Sequence, residues 1–251
     1  MSGQMDQVEN LAPPPPLDEL LAGNPMALFV DFDGTLVEIA ASPDAISVPA
    51  SFADRLARLS DRLGGRLALV SGRSIEDLDR HCGSLRIACA GSHGATRRTA
   101  DGTAIGPTAG SLPRALIAEV ARYARTNGVD YEAKPHGAAL HSRSAPQLEA
   151  SCALFMTELA ERHGLAMKRG KRVAELVMPG SDKGAAVRAF MAEPQFSSAN
   201  PAFVGDDVTD EDGFAACAAM GGFGVAVGER PSAAARYRLA GPIAVREWLG
   251  L

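Results

Sequence analysis

Two aspartates, Asp31 and Asp33, lie one residue apart in the stretch "FVDFDGTL", at the end of an apolar run typical of a buried strand. Side chains two positions apart on a strand point to the same face, so we expect the two carboxylates to share a site. Like charges that close together are costly unless a cation neutralises them. The pair therefore predicts a site in which a cation lies between the carboxylates.

A second acidic stretch, "GDDVTDED", follows a later apolar run and contains Asp206, Asp207 and Asp210. In open α/β sheets ligands bind at the carboxyl ends of the strands, where both acidic stretches would lie. Oxygen ligands without a neighbouring histidine or cysteine suit Mg²⁺, which also bridges to phosphate oxygens. The alternative is a solvated turn with helix-capping aspartates. The coincidence of the two stretches on one edge favours Mg²⁺ and a phosphate.

Three further residues have the chemistry of phosphate ligands. Gly34 lets the backbone turn sharply, so that its amides can face phosphate oxygens, and Ser71 in "VSGR" offers a hydroxyl. Lys183 in "SDKGAA" begins a predicted helix, whose amides and dipole also favour an anion. A lone lysine at a helix start is usually a surface charge. Here a proline and two glycines surround it, which favours phosphate binding.

The composition excludes several other functions. The chain has 251 residues, is 46% hydrophobic and carries a formal net charge of −5, so it lacks the concentrated positive charge of a nucleic-acid binder or a polybasic membrane anchor. Its one dense basic run contains Lys168, Arg169, Lys171 and Arg172, and is either a solvated turn or a binding element. Without a signal peptide or an apolar stretch of transmembrane length, we expect a soluble, cytoplasmic protein that binds neither nucleic acid nor membranes.

The four cysteines contain no C-x-x-C pair. Cys89 and Cys217 lie in apolar runs, which indicates core packing rather than catalysis or metal binding. Few cysteines, with no sign of disulfide pairing, indicate that the protein works in a reducing compartment.

Strand and helix patterns alternate on both sides of a different middle segment. Apolar runs such as "MALFVDF" and "RLALVSG" are typical of parallel strands buried on both faces, and "SFADRLARLSDRLG" has helical spacing. This succession predicts an α/β fold: a doubly wound parallel-sheet (Rossmann-like) core with an inserted α+β cap domain. We expect a proline-rich N-terminal lead over 1–24, a core over 25–105 and 181–251, and the cap over 106–180.

The order "DFDGT", "SGR", "DKG" and "GDD" resembles the haloacid-dehalogenase-type phosphatases. Within that superfamily the chain is similar to the trehalose-6-phosphate phosphatase family, through "GSHG", "YEAKPHGAALH", "GKRVAEL" and "GDDVTDEDGF". These matches extend from about residue 27 to about residue 228. One departure is that Ser142 and Arg143 follow "ALH", where the family often has Tyr-Arg.

The resemblance implies a role for each residue of the core. Asp31 would attack phosphorus and form an aspartyl-phosphate, while Asp33 would move protons to the leaving group and from water. Mg²⁺ would be held by Asp31, the Asp33 backbone carbonyl and Asp206, with Asp207 and Asp210 supporting these ligands from behind. The groups expected to hold the phosphate are Gly34, Thr35, Ser71, Gly72 and Lys183.

The resemblance also implies that the cap closes over a sugar. Glu132, Lys134 and Glu175 would bind sugar hydroxyls from the cap, and Arg73 and His93 from the core. His141 and Arg143 are expected to contact the sugar as well. Alternatively, His141 could be a structural histidine, and Glu132 and Lys134 could form a solvated pair.

The implied partner is a phosphorylated disaccharide, bound by a monomer. Three alternatives stay open at this stage. They are a sibling phosphatase for another sugar phosphate, such as sucrose phosphate or mannosyl-phosphoglycerate, a dehalogenase, and a non-catalytic sugar-phosphate sensor.

Overall fold

The computed structural model describes residues 11–40, 45–49, 51–106, 110–134, 136–170 and 172–251. The chain divides into two compact units. Unit 1 comprises Met1–Gly106 with Asp182–Leu251, and unit 2 comprises Pro107–Ser181. Among the described residues, no helix combines the length and the apolar composition needed to cross a bilayer.

Unit 1 contains a seven-stranded sheet in the described part of the chain, in the order β11-β10-β9-β1-β2-β3-β4. Its strands are β1 (Met26–Val30), β2 (Leu67–Val70), β3 (Ala88–Gly91), β4 (Thr96–Arg98), β9 (Asn200–Gly205), β10 (Phe223–Val227) and β11 (Tyr237–Leu239). All neighbouring pairs are parallel except β3 with β4. The predicted parallel α/β core is therefore confirmed, with one antiparallel edge strand that the sequence patterns did not indicate.

Helices cover both faces of this sheet. They are α1 (Leu17–Gly23), α2 (Phe52–Arg62), α3 (Ile75–Cys82), α6 (Lys183–Met191), α7 (Glu211–Ala219) and α8 (Pro242–Leu249). On one face α1, α2, α3 and α8 bury apolar side chains against Leu28 and Val30. On the other, α6 and α7 pack against Phe29 and Phe203. Since β1 is apolar on both sides, it has the continuous hydrophobic run of a central parallel strand.

The proline-rich lead is packed against unit 1 where it is described, from residue 11 onward. The indole of Trp248 donates a hydrogen bond to the carbonyl of Pro15 (2.8 Å), and the amide of Arg238 donates one to Ala12 (3.0 Å). The lead ends in the short helix α1, whose Leu17 is buried. The rest of the lead, residues 1–10, lies outside the described residues.

Unit 2 contains a four-stranded antiparallel sheet in the described part of the chain, in the order β5-β6-β8-β7. Its strands are β5 (Asp130–Lys134), β6 (Gly137–His141), β7 (Ala166–Gly170) and β8 (Val173–Val177), and its helices are α4 (Arg114–Asn127) and α5 (Glu149–His163). Both helices pack on one face of the sheet, against Leu140 and Leu176. Each ends at a glycine with a positive φ, Gly128 and Gly164, which closes the last turn.

The basic run of the sequence is not simply a turn. Lys168 and Arg169 lie within β7, where Lys168 is in register with Glu175, and Arg172 lies in the turn before β8. The interpretation as a turn is therefore wrong for Lys168 and Arg169, because the antiparallel pairing of β7 with β8 continues to Gly170. Lys171 lies outside the described residues.

The interpretation of two cysteines as core residues is confirmed. Cys89 and Cys217 are fully buried. Burial raises the pKa of the Cys89 thiol to about 12, and it also raises the pKa of Cys217. Both therefore stay protonated and unreactive near neutral pH.

Candidate active site

Three central strands of unit 1 end on polar residues at one edge of the sheet. Because β9, β1 and β2 are parallel neighbours, the residues that follow them, Asp206, Asp31 and Ser71, come to the same side. The amide of Asp31 still donates to the carbonyl of Val204 (2.9 Å), so the ladder between β1 and β9 holds its backbone in place.

Lys183 forms ion pairs with Asp31 and with a further aspartate, Asp210, in a buried triad, Asp31–Lys183–Asp210. Its Nζ lies 2.9 Å from Oδ1 of Asp31 and 2.6 Å from Oδ1 of Asp210. All three side chains are buried. Lys183 is the first residue of α6, after Asp182, whose carboxylate accepts the amide of Ala185 (2.6 Å) and caps the helix. The surface-charge interpretation of Lys183 is therefore wrong.

Burial and charge act in opposite directions within the triad. Burial raises the pKa of Asp31 well above its ordinary value, although the charge of Lys183 opposes the shift. Burial likewise raises the pKa of Asp210. For Lys183 burial alone would lower the pKa, but the charges of Asp210 and Asp31 outweigh it and the pKa is raised. Lys183 therefore carries a permanent positive charge in the core of the site.

Asp206 completes a group of three carboxylates that fits a divalent cation. Asp31, Asp206 and Asp210 each offer one oxygen, and these oxygens lie within 4.8 Å of one another. Burial, and then the charge of Asp210, raise the pKa of Asp206 to about 6, although the hydroxyl of Thr35 and the charge of Lys183 oppose the shift. An all-oxygen donor set of this kind suits a hard cation such as Mg²⁺. The acidic cluster is thus compatible with a metal, and it includes Asp210, which the sequence places behind the ligands.

Thr35 and Gly34 hold the Asp206 side chain. The buried hydroxyl of Thr35 donates to Oδ1 of Asp206 at 2.9 Å. Gly34 has a φ of +78°, and a Cβ at this position would lie 2.2 Å from Oδ2 of Asp206. Only glycine therefore allows the turn after β1 to approach this carboxylate so closely.

Asp33 forms an ion pair with a different side chain, Arg73. Arg73 binds it in a bidentate manner, with Nε 2.7 Å from Oδ2 and Nη2 2.8 Å from Oδ1. The two aspartates of the opening motif are thus neutralised by different side chains, Lys183 and Arg73. The alternation of side chains along a strand does not apply to Asp31 and Asp33, because β1 ends at Val30. A turn begins after Asp31, and in it the amide of Gly34 donates a hydrogen bond to the carbonyl of Val37.

The guanidinium of Arg73 is also bound on its other side. Nη1 donates to Oδ2 of Asp77 (2.6 Å), a residue of α3 that the sequence analysis missed. Its position four residues after Arg73 is the spacing at which ion pairs form, and would have been the signal. In the structure Arg73 binds two carboxylates of the protein, rather than standing open towards a sugar as expected.

The remaining predicted phosphate and sugar residues of unit 1 lie on two adjoining loops. Ser71 is buried, and its Oγ accepts the amide of Arg73 (3.1 Å). The ring of His93 lies over Gly72, where a Cβ would be 2.9 Å from it. Ser92 and His93 both have positive φ values, of 50° and 56°. Such backbone strain is characteristic of functional loops.

Four of the five sugar-binding residues predicted in unit 2 share the helix-free face of its sheet. Glu132, Ala139 and Glu175 stand in one cross-strand row. Lys134 donates to Oε2 of Glu175 at 2.6 Å, and His141 Nε2 lies 2.8 Å from Oε2 of Glu132. The fifth residue, Arg143, lies outside this group in an exposed bend.

The two ion pairs differ in burial. The Glu175 side chain is only 5% exposed, so the Lys134–Glu175 pair is not a solvated one. The hydrogen bond with His141 lowers the pKa of Glu132, although burial opposes the shift. A separate cavity of about 410 Å³ lies beside the start of α5 in unit 2, and none of the predicted sugar residues lines it.

Comparison with known proteins gives one consistent result. The family described as trehalose-phosphatase matches residues 29–242. A trehalose-6-phosphate phosphatase of Escherichia coli is 38% identical over 229 residues, which cover 89% of this chain and 85% of the relative. A trehalose-6-phosphate phosphatase C-terminal domain of C. albicans superposes with a TM-score of 0.80 at 22% identity, over 96% of this chain and 97% of that one. A haloacid dehalogenase-like hydrolase of Bacteroides thetaiotaomicron shares the fold at a TM-score of 0.62 and 17% identity, over 90% and 98%.

Proposed function

We propose that this chain, which belongs to the trehalose-phosphatase family, hydrolyses trehalose 6-phosphate to trehalose and inorganic phosphate. The observation that carries the proposal is the buried triad Asp31–Lys183–Asp210 beside Asp206 at the carboxyl edge of the sheet. The family match supports it further, because residues 29–242 include the predicted groups of both units.

The first step assigned to the site is attack of Asp31 on phosphorus. One carboxylate oxygen forms a bond to phosphorus while the bond from phosphorus to the sugar oxygen breaks, which leaves an aspartyl-phosphate. Lys183, 2.9 Å from Oδ1 of Asp31, fixes the direction of the carboxylate and opposes its protonation. Lys183 also supplies positive charge where the phosphoryl oxygens gather.

Asp33 is assigned the proton transfers. It gives a proton to the leaving sugar oxygen, then takes one from the water that attacks phosphorus and releases Asp31. Arg73 binds both oxygens of Asp33 and so fixes the orientation of this carboxyl group, while each oxygen keeps a second lone pair for the proton. Arg73 thereby acts on Asp33 directly, and its contact with the sugar stays a prediction.

We assign Mg²⁺ as the cofactor, held by Asp31, Asp206 and the backbone carbonyl of Asp33, with Asp210 close enough to contribute. When bound, the metal offsets the negative charge that develops on the phosphoryl oxygens. The three carboxylate oxygens within 4.8 Å of one another support this assignment.

Unit 2 is assigned the recognition of the sugar. Glu132, Lys134, His141 and Glu175 form a polar row on one face of the sheet, and Lys168 of β7 extends it beside Glu175. Carboxylates and ammonium groups of this kind hydrogen-bond sugar hydroxyls, and the bonds are strong when water is excluded. We further assign the chain as a cytoplasmic monomer that binds neither nucleic acid nor membranes, in line with its net charge of −5 and its free cysteines.

A panel of phosphorylated disaccharides tests the function. Phosphate release with Mg²⁺ is measured for trehalose 6-phosphate, sucrose 6-phosphate, mannosyl-phosphoglycerate and an aryl phosphate. We expect kcat/KM for trehalose 6-phosphate to exceed that of the other sugar phosphates by roughly a hundredfold or more, because mismatched hydroxyls leave buried polar groups unpaired. A higher value for another sugar phosphate would assign the chain to a sibling activity. No release from any of them would indicate a sensor.

A further inference from the structure

Arg230 lies outside every motif described above, yet it binds the backbone of the acidic loop. It follows β10, and its Nε donates to the carbonyl of Asp206 at 3.0 Å. Its Nη2 donates to the carbonyl of Asp207, also at 3.0 Å, and to Oε1 of Glu211 at 2.6 Å. One guanidinium therefore joins the loop after β9 to the first residue of α7.

Glu211 is itself fixed from two sides. Its Oε1 accepts from Arg230, and its Oε2 accepts the amides of Ala233 (3.2 Å) and Ala234 (3.1 Å). The carbonyl of Arg230 in turn accepts from Nη1 of Arg238 at 3.0 Å. The loop after β10 thus forms a rigid brace behind Asp206. A planar fork with several donors is needed to reach these separate acceptors, and lysine has no such geometry.

The position of Asp206 depends on this brace. Lys183 binds Asp31 and Asp210 directly. The carboxylate of Asp206 instead accepts a hydrogen bond from the hydroxyl of Thr35. On its backbone end, Arg230 holds the carbonyl of the same residue. The rotamers open to a side chain depend on the φ and ψ angles of its own residue, so holding this carbonyl restricts the directions in which the carboxylate can point.

We propose that Arg230 is a positioning residue for the cation site: it holds Asp206 by its backbone so that the carboxylate meets those of Asp31 and Asp210. This inference rests on the metal assignment of the proposed function. Residues that orient metal ligands typically change metal affinity about 10- to 100-fold when they are replaced.

The test measures Mn²⁺ binding by calorimetry, in the full chain and without substrate. We expect Arg230→Met to raise the Kd by about 10- to 100-fold, and Arg230→Lys to raise it nearly as much. In phosphate-release assays the Mg²⁺ concentration at half-maximal rate should rise by the same factor, while kcat at saturating Mg²⁺ stays close to that of the wild type. A residue needed only for folding would not give this separation.

Arg98→Met is the matched control. Arg98 also lies in unit 1 and also binds a carbonyl, that of Leu85 (3.1 Å), and a carboxylate, that of Asp79 (3.0 Å). It touches none of the assigned ligands, so its removal should leave the Kd unchanged. An equal loss of affinity in Arg98→Met would overturn the inference.

Two other results would count against the inference. Folded Arg230→Met or Arg230→Lys with a Kd within about twofold of the wild type would overturn it. Wild-type protein that binds no Mn²⁺ would overturn the metal site itself, and the role of Arg230 with it. By contrast, Mn²⁺ affinity that depends on Arg230 in a chain without phosphatase activity would contradict only the proposed function.

Discussion

The ammonium of Lys183 lies 2.9 Å from Oδ1 of Asp31, with both side chains almost completely removed from water. The same ammonium lies 2.6 Å from Asp210, so one cation balances two buried carboxylates. Such an arrangement is stable only while every member is present, because a buried charge without its partner is far more costly than an exposed one. Lys183 is therefore a structural residue as well as a candidate catalytic one.

Lys183→Met should destabilise unit 1 strongly. Removal of one member of a buried ion pair costs about 3–5 kcal/mol, since the remaining carboxylates lose their counter-charge. Urea unfolding in the absence of divalent cations, followed by the fluorescence of Trp248, measures the effect in the unit concerned. Trp248 is the single tryptophan of the chain.

The double variant Lys183→Met/Asp210→Asn serves as the control, because it removes one of the two uncompensated charges. We expect it to recover part of the lost stability. A single variant as stable as the wild type would show that Lys183 does not hold the carboxylates together.

Asp31→Asn should abolish turnover and preserve the fold. An amide cannot attack phosphorus, so kcat should fall below about one thousandth of the wild-type value. Lys183 keeps its contact with Asp210 in this variant, so the urea midpoint should change much less than in Lys183→Met. Phosphate release near the wild-type rate from purified Asp31→Asn would exclude Asp31 as the nucleophile.

Much of the core could be predicted because its elements have strong local signals. The run "MALFV" is apolar at every position, and it forms β1 in the centre of the sheet, buried on both faces. Ser74 precedes the helical pattern of α3, and its side chain accepts the amide of Asp77 as a cap. The short edge strands β4 and β11 were missed because each has three half-buried residues without a clear apolar period.

The candidate site could be predicted only in part. The motif order identified which residues follow the central strands, but not which cation each carboxylate binds. Asp33 pairs with Arg73 across 40 residues, and Arg230 reaches Asp206 across 24. Contacts at such separations depend on how strands are ordered in the sheet, and no local pattern contains that order. The strand alternation applied to Asp31 and Asp33 was wrong for a related reason, since a strand's end is set by tertiary pairing.

Removal of divalent metal should stop phosphate release reversibly. After dialysis against a chelator we expect less than about a hundredth of the activity, because the charge of the transferred phosphoryl group is no longer offset. Mg²⁺ should restore it, and should also raise the Tm, since a ligand that binds only the folded state stabilises it. Full activity in excess chelator would contradict the metal assignment.

The pair formed by Glu132 and His141 predicts a pH dependence in unit 2. The hydrogen bond with His141 lowers the pKa of Glu132 below its ordinary value of 4.5. A carboxyl group with a lowered pKa in the folded state contributes stability above its ordinary pKa, and this contribution is lost as the pH falls through the folded value. The protection factors of the amides in β5 and β6, which correct for the intrinsic pH dependence of exchange, should therefore fall below about pH 4.5.

Glu132→Gln should remove this dependence, because the amide does not titrate. Protection factors in its β5 and β6 should be lower than in the wild type at neutral pH, and should fall less in acid. Asp130→Asn is a suitable control on the same strand, since Asp130 is exposed and its carboxylate binds only the hydroxyl of Ser144 among its described side-chain contacts. Identical acid profiles for the wild type and Glu132→Gln would contradict the assignment.

The last prediction separates sugar recognition from chemistry through Glu175. Because this side chain is buried and paired with Lys134, alanine would remove both its charge and its hydrogen-bond acceptor, leave a cavity and destabilise unit 2. Glu175→Gln removes the charge but keeps the volume and an oxygen that can accept a hydrogen bond, so it disturbs the fold less. A hydrogen bond to a charged group exceeds a neutral one by about 1–1.5 kcal/mol, so kcat/KM for trehalose 6-phosphate should fall roughly tenfold. Hydrolysis of a small aryl phosphate, which has no sugar to bind, should be unchanged.

Glu149→Gln provides the matched control in unit 2, because Glu149 is exposed at the start of α5 and belongs to none of the polar contacts assigned to the sugar. It should leave both activities as they are. If Glu175→Gln lowered both activities equally, Glu175 would act through folding or through the chemical step. If it kept full activity on trehalose 6-phosphate, Glu175 would not contact the sugar, and the polar row of unit 2 would need another explanation.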